Sequence, residues 1–225
     1  MRSLPGNTRT RCMMAALALL LACGCASAAR PNDDETRKSA LTHAQSRDAD
    51  ERLAAFTVLV KVGRQEDLPL AQFHLFDDDV RVRDTAEAAI WAIWSRSGDP
   101  ATDGLFVHGV EQMRDGRLKM AIDTFSQVIA ARPDFAEAWN KRATVYFMLG
   151  EDELSLKDCA EVLRRNPQHF GVLAGYGQIY LRKGELQRAL DYFEQAIAIN
   201  PNMIGVQASI EALRELMVKR GRRFI

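Results

Sequence analysis

Large and small apolar residues recur at fixed places in three consecutive segments of 34 residues, which cover 102–135, 136–169 and 170–203. Each segment has Gly at its fifteenth place and Pro at its thirty-second, residues that commonly end helices. A period near 34 therefore predicts one pair of antiparallel helices in each segment, with the pairs stacked in an array. The helices are expected at about 100–114, 118–131, 134–148, 152–164, 168–182 and 186–199.

Small residues hold the eighth and twentieth places of every segment, and larger residues surround them. Two helices approach closely only where side chains are short, so these places predict the crossing point of each pair. The small residues are Gly109, Ala143, Gly177, Ala121, Ser155 and Ala189, and the large ones include Leu105, Trp139, Leu173, Tyr146, Tyr180, Phe125, Cys159 and Phe193. Gln112 stands in the first copy where the other two have Tyr.

This order of bulky, small, aromatic, small, aromatic and Pro residues resembles the tetratricopeptide repeat (TPR) over residues 102–203. The resemblance implies an all-α fold, a right-handed α-solenoid of three helical hairpins with a concave surface that can hold another molecule. A seventh helix is expected at about 203–219 because Val206, Ile210, Leu213 and Met217 form an apolar stripe at helical spacing. Such a helix, followed by a basic tail within 204–225, caps the open stack.

Residues 41–98 are expected to form a further helical segment. Two stretches of 48–96 repeat at an offset of 31 residues, and Asp78-Asp79-Val80-Arg81 before an Ala-rich helix resembles the HEAT-like repeat. Trp91 and Trp94 are expected to pack onto the first TPR unit, which would make the two halves one rigid superhelix; a ligand-binding pair of exposed tryptophans is the alternative. Asp99 is the expected N-cap of the first TPR helix, with Pro100 at its first position.

The beginning of the chain is typical of an export signal. Arg2, Arg9 and Arg11 precede an apolar run at 13–22 that is too short to span a bilayer. Leu20-Leu21-Ala22-Cys23 resembles the lipobox of bacterial lipoproteins, which predicts a signal peptide at 1–22, lipid attachment at Cys23 and a tether over 23–40. The outer membrane, facing the periplasm, is then the expected location. Cleavage after Ala28 is the alternative and would give a soluble periplasmic protein.

The net charge limits the class of partner, and the cysteine content limits the disulfides that the chain can form. The chain has 30 basic and 30 acidic residues, and loss of the three signal arginines leaves 27 basic residues against 30 acidic ones. A slightly acidic mature chain argues against a nucleic-acid partner. Cys159 is the one cysteine outside the signal region, so it predicts apolar filling of the core and no internal disulfide.

The first helix of each pair lines the concave face in TPR arrays, so the resemblance implies a groove for a protein or peptide segment. Its expected lining residues are Phe106, Val110, Met113, Asn140, Lys141, Thr144, Phe147, Gly171, Ala174, Gly175, Gln178 and Leu181. Some TPR domains hold acidic C-termini with a clamp of basic and Asn residues. Here Phe106, Val110, Gly171 and Gly175 stand at those places, which predicts no such clamp.

Gly171, Ala174, Gly175 and Gln178 form a nearly bare ridge at helical spacing. Each interior Gly weakens a helix by about 1 kcal/mol relative to Ala, so a compensating contact is expected. One hypothesis is a partner backbone resting on the ridge. Packing within the chain is the other, and it leaves Gly175 without an explanation.

The sequence contains none of the motifs typical of metalloproteases, serine hydrolases or phosphate-binding loops, and its four histidines are scattered. We therefore expect no catalytic residue, metal or cofactor, and interpret the chain as an adaptor of the cell envelope that assists assembly of an envelope complex. The alternative is a periplasmic enzyme or polymer-binding protein with a histidine-centred or basic site. The partner's identity, the oligomeric state and occupation of the groove by the chain's own N-terminal segment are left open.

Overall fold

The computed structural model describes residues 31–222, and the part it describes consists of helices and short connections without a strand. The N-terminal segment has four α-helices: α1 (Pro31–His43), α2 (Ala49–Val62), α3 (Leu68–Phe73) and α4 (Val80–Trp94). Two single 3-10 turns flank α3, at Gln65–Asp67 and His74–Phe76. The signal peptide, Cys23 and the start of the predicted tether lie outside the described residues.

Seven further helices follow. They are α5 (Pro100–Arg114), α6 (Leu118–Ala131), α7 (Ala136–Leu149), α8 (Asp152–Arg165), α9 (Phe170–Arg182), α10 (Leu186–Ile199) and α11 (Ile204–Arg222). The predicted all-helical fold with three helical hairpins and a capping helix is confirmed. Gly116, Gly150 and Gly184 end the first helix of each hairpin with φ of +74°, +80° and +76°, a conformation that Gly adopts without strain.

The predicted crossing points are also confirmed. A Cβ on Gly109 would lie 2.7 Å from the ring of Phe125, and one on Gly177 would lie 2.4 Å from the ring of Phe193. In the middle hairpin the hydroxyl of Ser155 donates to the carbonyl oxygen of Ala143 at 2.8 Å. The two helices of each pair therefore touch where the sequence places small residues.

Two side-chain contacts, one of them buried, hold Gln112 in the first hairpin. Thr124 donates to Gln112 Oε1 at 2.7 Å, and Gln112 Nε2 lies 2.8 Å from His108 Nε2. The amide is thus partnered inside the core, as a buried polar group must be. A polar cluster replaces the aromatic ring of the other two copies.

The apolar stripe of α11 packs as predicted. Val206, Ile210 and Leu213 are buried in a cluster with Phe193, and Met217 packs against its margin. The charged residues between them, Glu211, Arg214, Glu215 and Lys219, are exposed. This helix closes the apolar end of the third hairpin.

The two stretches that repeat at an offset of 31 residues form the starts of α2 and α4. Asp48 caps α2 by accepting from Asp50 N at 2.8 Å, and Asp79 caps α4 by accepting from Arg81 N at 2.8 Å. Arg52 and Arg83 then donate to the carbonyl oxygens five and six residues before them. The repeated sequence motif therefore gives α2 and α4 the same N-terminal capping structure.

Residues 31–40, expected to belong to the tether, instead form most of α1. Ala40 and Ala44 are buried against α2, and the Arg37 guanidinium donates to both carboxylate oxygens of Asp67, at 2.7 and 2.5 Å. The tether prediction failed here because charged residues dominate α1, and their partners lie about 30 positions away. Within residues 31–222, no helix has the length and apolar content needed to cross a bilayer.

The N-terminal segment folds back along one edge of the repeats, where successive hairpins are joined. Trp91 and Trp94 pack on Phe170 at the start of α9, with ring centroids 5.3 and 5.0 Å apart. Asn202 Nδ2, just after α10, donates to the carbonyl oxygen of Leu75 at 2.8 Å. The prediction that the two tryptophans pack onto the first TPR unit was therefore wrong. They contact His169, at the end of the second unit, and Phe170, at the start of the third, and the segment lies beside the stack.

Candidate functional site

Four of the residues predicted to line the groove are engaged within the protein. Phe106 is 3% exposed, and its ring packs between Phe125 and Phe135, so its assignment to an open groove was wrong. Asn140 is buried and donates to both carboxylate oxygens of Glu137. Lys141 Nζ lies 2.9 Å from Glu137 Oε1 and 5.6 Å from the ring centroid of Trp91.

Gly171 is the fourth of these residues. A Cβ there would lie 2.5 Å from Trp91 Cη2, which leaves no room for a partner. The N-terminal segment therefore covers the beginning of the groove helices α7 and α9. The contact within the chain accounts for one glycine of the bare ridge.

The rest of the predicted lining is accessible, and we refer to it as the open groove. Thr144 and Gln178 are exposed, and the other members are half-buried. A Cβ on Gly175 would have no atom within 4 Å, so this position faces free space. The open groove consists of Val110, Met113, Thr144, Phe147, Ala174, Gly175, Gln178 and Leu181.

Two exposed apolar residues extend this surface and were missed in the sequence. Val107 is 54% exposed and stands at the sixth place of its copy, the place of Lys141 and Gly175. Met148 is 53% exposed and lies four residues after Thr144 on α7. Extending the sixth-place rule to the first copy would have found Val107.

The open groove carries little uncompensated charge. Arg182 lies over the ring of Phe147, with its guanidinium carbon 3.9 Å from the centroid. The same guanidinium pairs with Asp152 and donates to the carbonyl oxygen of Phe147. Thr144 and Gln178 supply hydrogen-bonding groups between apolar side chains, an arrangement that suits a mixed apolar and polar segment.

A buried cluster around Glu137 connects α7 to α9. Val172 N–H donates to His169 Nδ1 at 3.2 Å, so the proton of the neutral ring is on Nε2, which lies 3.0 Å from Glu137 Oε2. Burial alone would raise the pKa of Glu137, but the hydrogen bond from His169 and the charge of Lys141 outweigh burial and hold the pKa below its ordinary value. Because Asn140, Lys141 and His169 occupy the carboxylate, this cluster works as a structural connection.

Beside this cluster lies a partly open space that we call the edge cavity, with a volume of about 320 Å³. Its walls are the 3-10 turn before α3 with the first residue of α3, the end of α4 with the residues after it, the connection before α7, and the connection before α9. Trp94 is 5% exposed and stacks on His169, with ring centroids 4.2 Å apart. Its Nε1–H is buried without an acceptor, a situation that costs about 1–3 kcal/mol.

The remaining candidate chemistry is sparse. Burial raises the pKa of the Cys159 thiol to about 12, which agrees with its predicted role as core filling. Within the described part of the chain, no three His, Cys, Asp or Glu side chains converge to hold a metal ion. Cys23, the predicted lipidation site, lies outside this part.

Hairpins of this spacing and packing define a helical repeat protein, and comparison with known proteins identifies the family. Residues 134–202 match the family model of the tetratricopeptide repeat. A TPR repeat-containing protein of Rhizobium etli is 32% identical over 146 residues, which cover 63% of this chain and 72% of that protein. The chain therefore belongs to the TPR family.

Two solved structures share the fold at low identity. The first TPR of Spaghetti (RPAP3), bound to an HSP90 peptide, is 19% identical with a TM-score of 0.50 and covers 52% of this chain and 93% of that one. The Yersinia enterocolitica type III secretion chaperone SycD, in complex with a peptide of the translocator YopD, is 14% identical with a TM-score of 0.50. That match covers 52% of this chain and 95% of the chaperone.

Proposed function

We propose that this protein is a non-catalytic adaptor that docks a peptide or helix of a partner protein in the open groove. The observation that carries the proposal is the exposure of Val107 and Met148 beside the half-buried groove residues. Solvent-facing apolar side chains at successive places of the groove helices are typical of a surface that another chain covers. RPAP3 and SycD, which share the fold, were each solved with a bound peptide.

The mixed character of the groove favours a partner segment that contributes apolar side chains at regular intervals. Gly175 leaves space for close approach of a partner backbone, and Thr144 and Gln178 can hydrogen-bond to it. The charges near the groove, on Lys141 and Arg182, already have carboxylate partners. An amphipathic helix or extended strand is therefore a better fit than an acidic tail.

The proposed place of action is the bacterial cell envelope. The basic start, the short apolar run and the lipobox-like residues before Cys23 support export and a lipid anchor. The adaptor would then face the periplasm from the outer membrane and assist assembly of an envelope complex. Release after Ala28 would place the same groove in the periplasm without an anchor.

Affinity capture from envelope extracts tests the groove. The test variant is the double change Val107→Glu and Met148→Glu. The matched control is Met120→Glu with Leu154→Glu, which adds the same charge at exposed apolar positions of the second helices of the first two hairpins, α6 and α8. We expect the control and the unchanged protein to retain the same partner and the test variant to lose it. Equal retention by both variants would reject the groove as the binding surface.

Palmitate labelling in cells tests the anchor separately. The unchanged protein and a Cys25→Ala control should incorporate label, whereas Cys23→Ala should not. Equal labelling of both variants, or none in any chain, would reject lipidation at Cys23.

A further inference from the structure

Met148 is the most exposed methionine in the described part of the chain, and it lies beside the open groove. Within residues 31–222 the methionines are Met113, Met120, Met148, Met203 and Met217. Met148 is 53% exposed and Met120 is 50% exposed, whereas the other three are half-buried. Met113 belongs to the open groove, and Met203 and Met217 pack against a buried cluster. One strongly exposed methionine therefore lies on the surface that we propose for partner binding.

Met148 differs from the residues at the same place of the other two repeats. The thirteenth place holds Arg114 in the first copy and Arg182 in the third. Arg182 lies over the ring of Phe147 and pairs with Asp152, so its charge is engaged within the protein. A thioether is only a weak hydrogen-bond acceptor, so Met148 presents apolar surface where the other repeats present a cation. The same exposure leaves its sulfur accessible to oxidants in solution.

The free thiol of the folded part does not compete for an oxidant. Cys159 is 3% exposed, and burial raises the pKa of its thiol to about 12, so almost no reactive thiolate is present near neutral pH. A thioether needs no deprotonation, because it reacts through a sulfur lone pair. Among the sulfur atoms of residues 31–222, those of Met148 in the groove and Met120 on α6 are therefore the first that an oxidant reaches.

We propose that Met148 is an oxidation site that controls the open groove. Conversion of its thioether to the sulfoxide weakens partner binding, and reduction of the sulfoxide restores it. This inference rests on the proposed function, because it concerns the same surface.

Hydrogen peroxide is an oxidant with which the reaction balances. The sulfur lone pair of Met148 attacks one peroxide oxygen, so that a sulfur–oxygen bond forms and the oxygen–oxygen bond breaks. The departing hydroxide removes the proton from the transferred oxygen and leaves as water. Sulfur loses two electrons, and the peroxide gains them. A thiol-dependent sulfoxide reductase reverses the change, since two thiols become a disulfide and the sulfoxide oxygen leaves as water.

The sulfoxide changes the polarity of the groove surface. Its sulfur–oxygen dipole is well hydrated in the free protein, and an apolar partner side chain that covers Met148 would remove this water without replacing the hydrogen bonds. Burial of an unpaired polar group of this kind is unfavourable, so we expect partner retention to fall at least about fivefold. Oxidation of Met120 should have no such effect, because α6 lies outside the open groove.

Peptide mass spectrometry after graded treatment with hydrogen peroxide measures the order of oxidation. Trypsin leaves the five methionines of residues 31–222 in five separate peptides, so each is followed independently. We expect Met148 and Met120 to gain oxygen before Met113, Met203 and Met217. Oxidation of Met148 together with the half-buried methionines, or after them, would overturn the proposal.

Affinity capture from envelope extracts measures the effect on the groove. The purified protein is treated with enough peroxide to oxidise Met148 but not Met113, and the peroxide is removed before the extract is added. The proteins are the unchanged chain, Met148→Leu and the control Met120→Leu, each compared with its own untreated sample. The band that is scored is the polypeptide lost from the Val107→Glu and Met148→Glu double variant.

Peroxide should lower retention of this polypeptide at least about fivefold in the unchanged chain and in Met120→Leu, and less than about 1.5-fold in Met148→Leu. Methionine sulfoxide reductases should restore retention in the first two. An equal fall in Met148→Leu, or no fall in the unchanged chain with Met148 oxidised, overturns this inference and leaves the proposed function intact. If no polypeptide is retained in a groove-dependent way, the proposed function is rejected and this inference is rejected with it.

Discussion

Trp91 Cη2 lies 2.5 Å from the point where Gly171 would carry a Cβ. The glycine therefore permits the N-terminal segment to seat on the start of α9, 80 positions further along the chain. Gly175, one turn later, has open space around the same point. Of these two glycines on one ridge, Gly171 is required by a contact within the chain, and Gly175 is not.

Alanine substitution should separate these two glycines. Gly171→Ala should lower the free energy of unfolding by about 1–3 kcal/mol because Trp91 must move. Gly175→Ala should raise it by up to about 1 kcal/mol, since the methyl group meets nothing and the helix gains intrinsic stability. Urea denaturation followed by circular dichroism measures both, and shifts of the same sign would contradict the assignment.

Adjacent residues of α5 should respond differently to truncation. Phe106→Ala removes a buried ring between Phe125 and Phe135 and should cost about 3–5 kcal/mol. Val107→Ala removes exposed methyl groups and should change stability by less than about 0.5 kcal/mol. Denaturation curves of the two variants test this contrast. A small effect of Phe106→Ala on stability would contradict the burial of Phe106 and support its original assignment to the groove.

The buried carboxylate of Glu137 should make stability depend on pH. Its folded pKa lies below its unfolded value, so its stabilising contribution is present above the ordinary value of about 4.5 and is lost as the pH falls through the folded pKa. Glu137→Gln should be less stable than the unchanged protein at pH 7 by about 3–5 kcal/mol, and the difference should shrink below pH 4.5. A difference independent of pH between 7 and 3 would mean that the carboxylate charge is not responsible.

Cys159 should be unreactive in the folded protein. Its thiol is buried and its pKa is raised to about 12, so almost no thiolate is present at pH 8. In a chain with Ser at positions 12, 23 and 25, an aromatic disulfide reagent should label Cys159 only after unfolding. Rapid labelling of the native protein would show that α8 opens or that the thiol is accessible.

The repeats were predictable because their information is local. Gly, Pro and small residues at a fixed period set the helices α5 to α10, and the three copies reinforce one another. The position of the N-terminal segment was not predictable in this way. Trp91 and Gly171, or Arg37 and Asp67, meet only after the chain has folded, and neither contact recurs at the period of the repeats.

The predicted groove lining included residues that are engaged within the protein, again because their contacts join distant parts of the chain. The helical register assigned the groove to one face of α5, α7 and α9, and eight of the assigned residues are accessible there. It could not reveal that Phe135 covers Phe106, or that Glu137 and Trp91 engage Lys141. The edge cavity had no sequence signal, since its walls come from four separate parts of the chain.

Site-specific photo-crosslinking in cells tests the groove most directly. A photoreactive phenylalanine derivative is placed at Met148 in the groove or at Leu154 on the neighbouring helix α8, both exposed apolar positions. The proposed function predicts a covalent adduct with another polypeptide from position 148 and none from position 154. No adduct from position 148, or the same adduct from both positions, would contradict it.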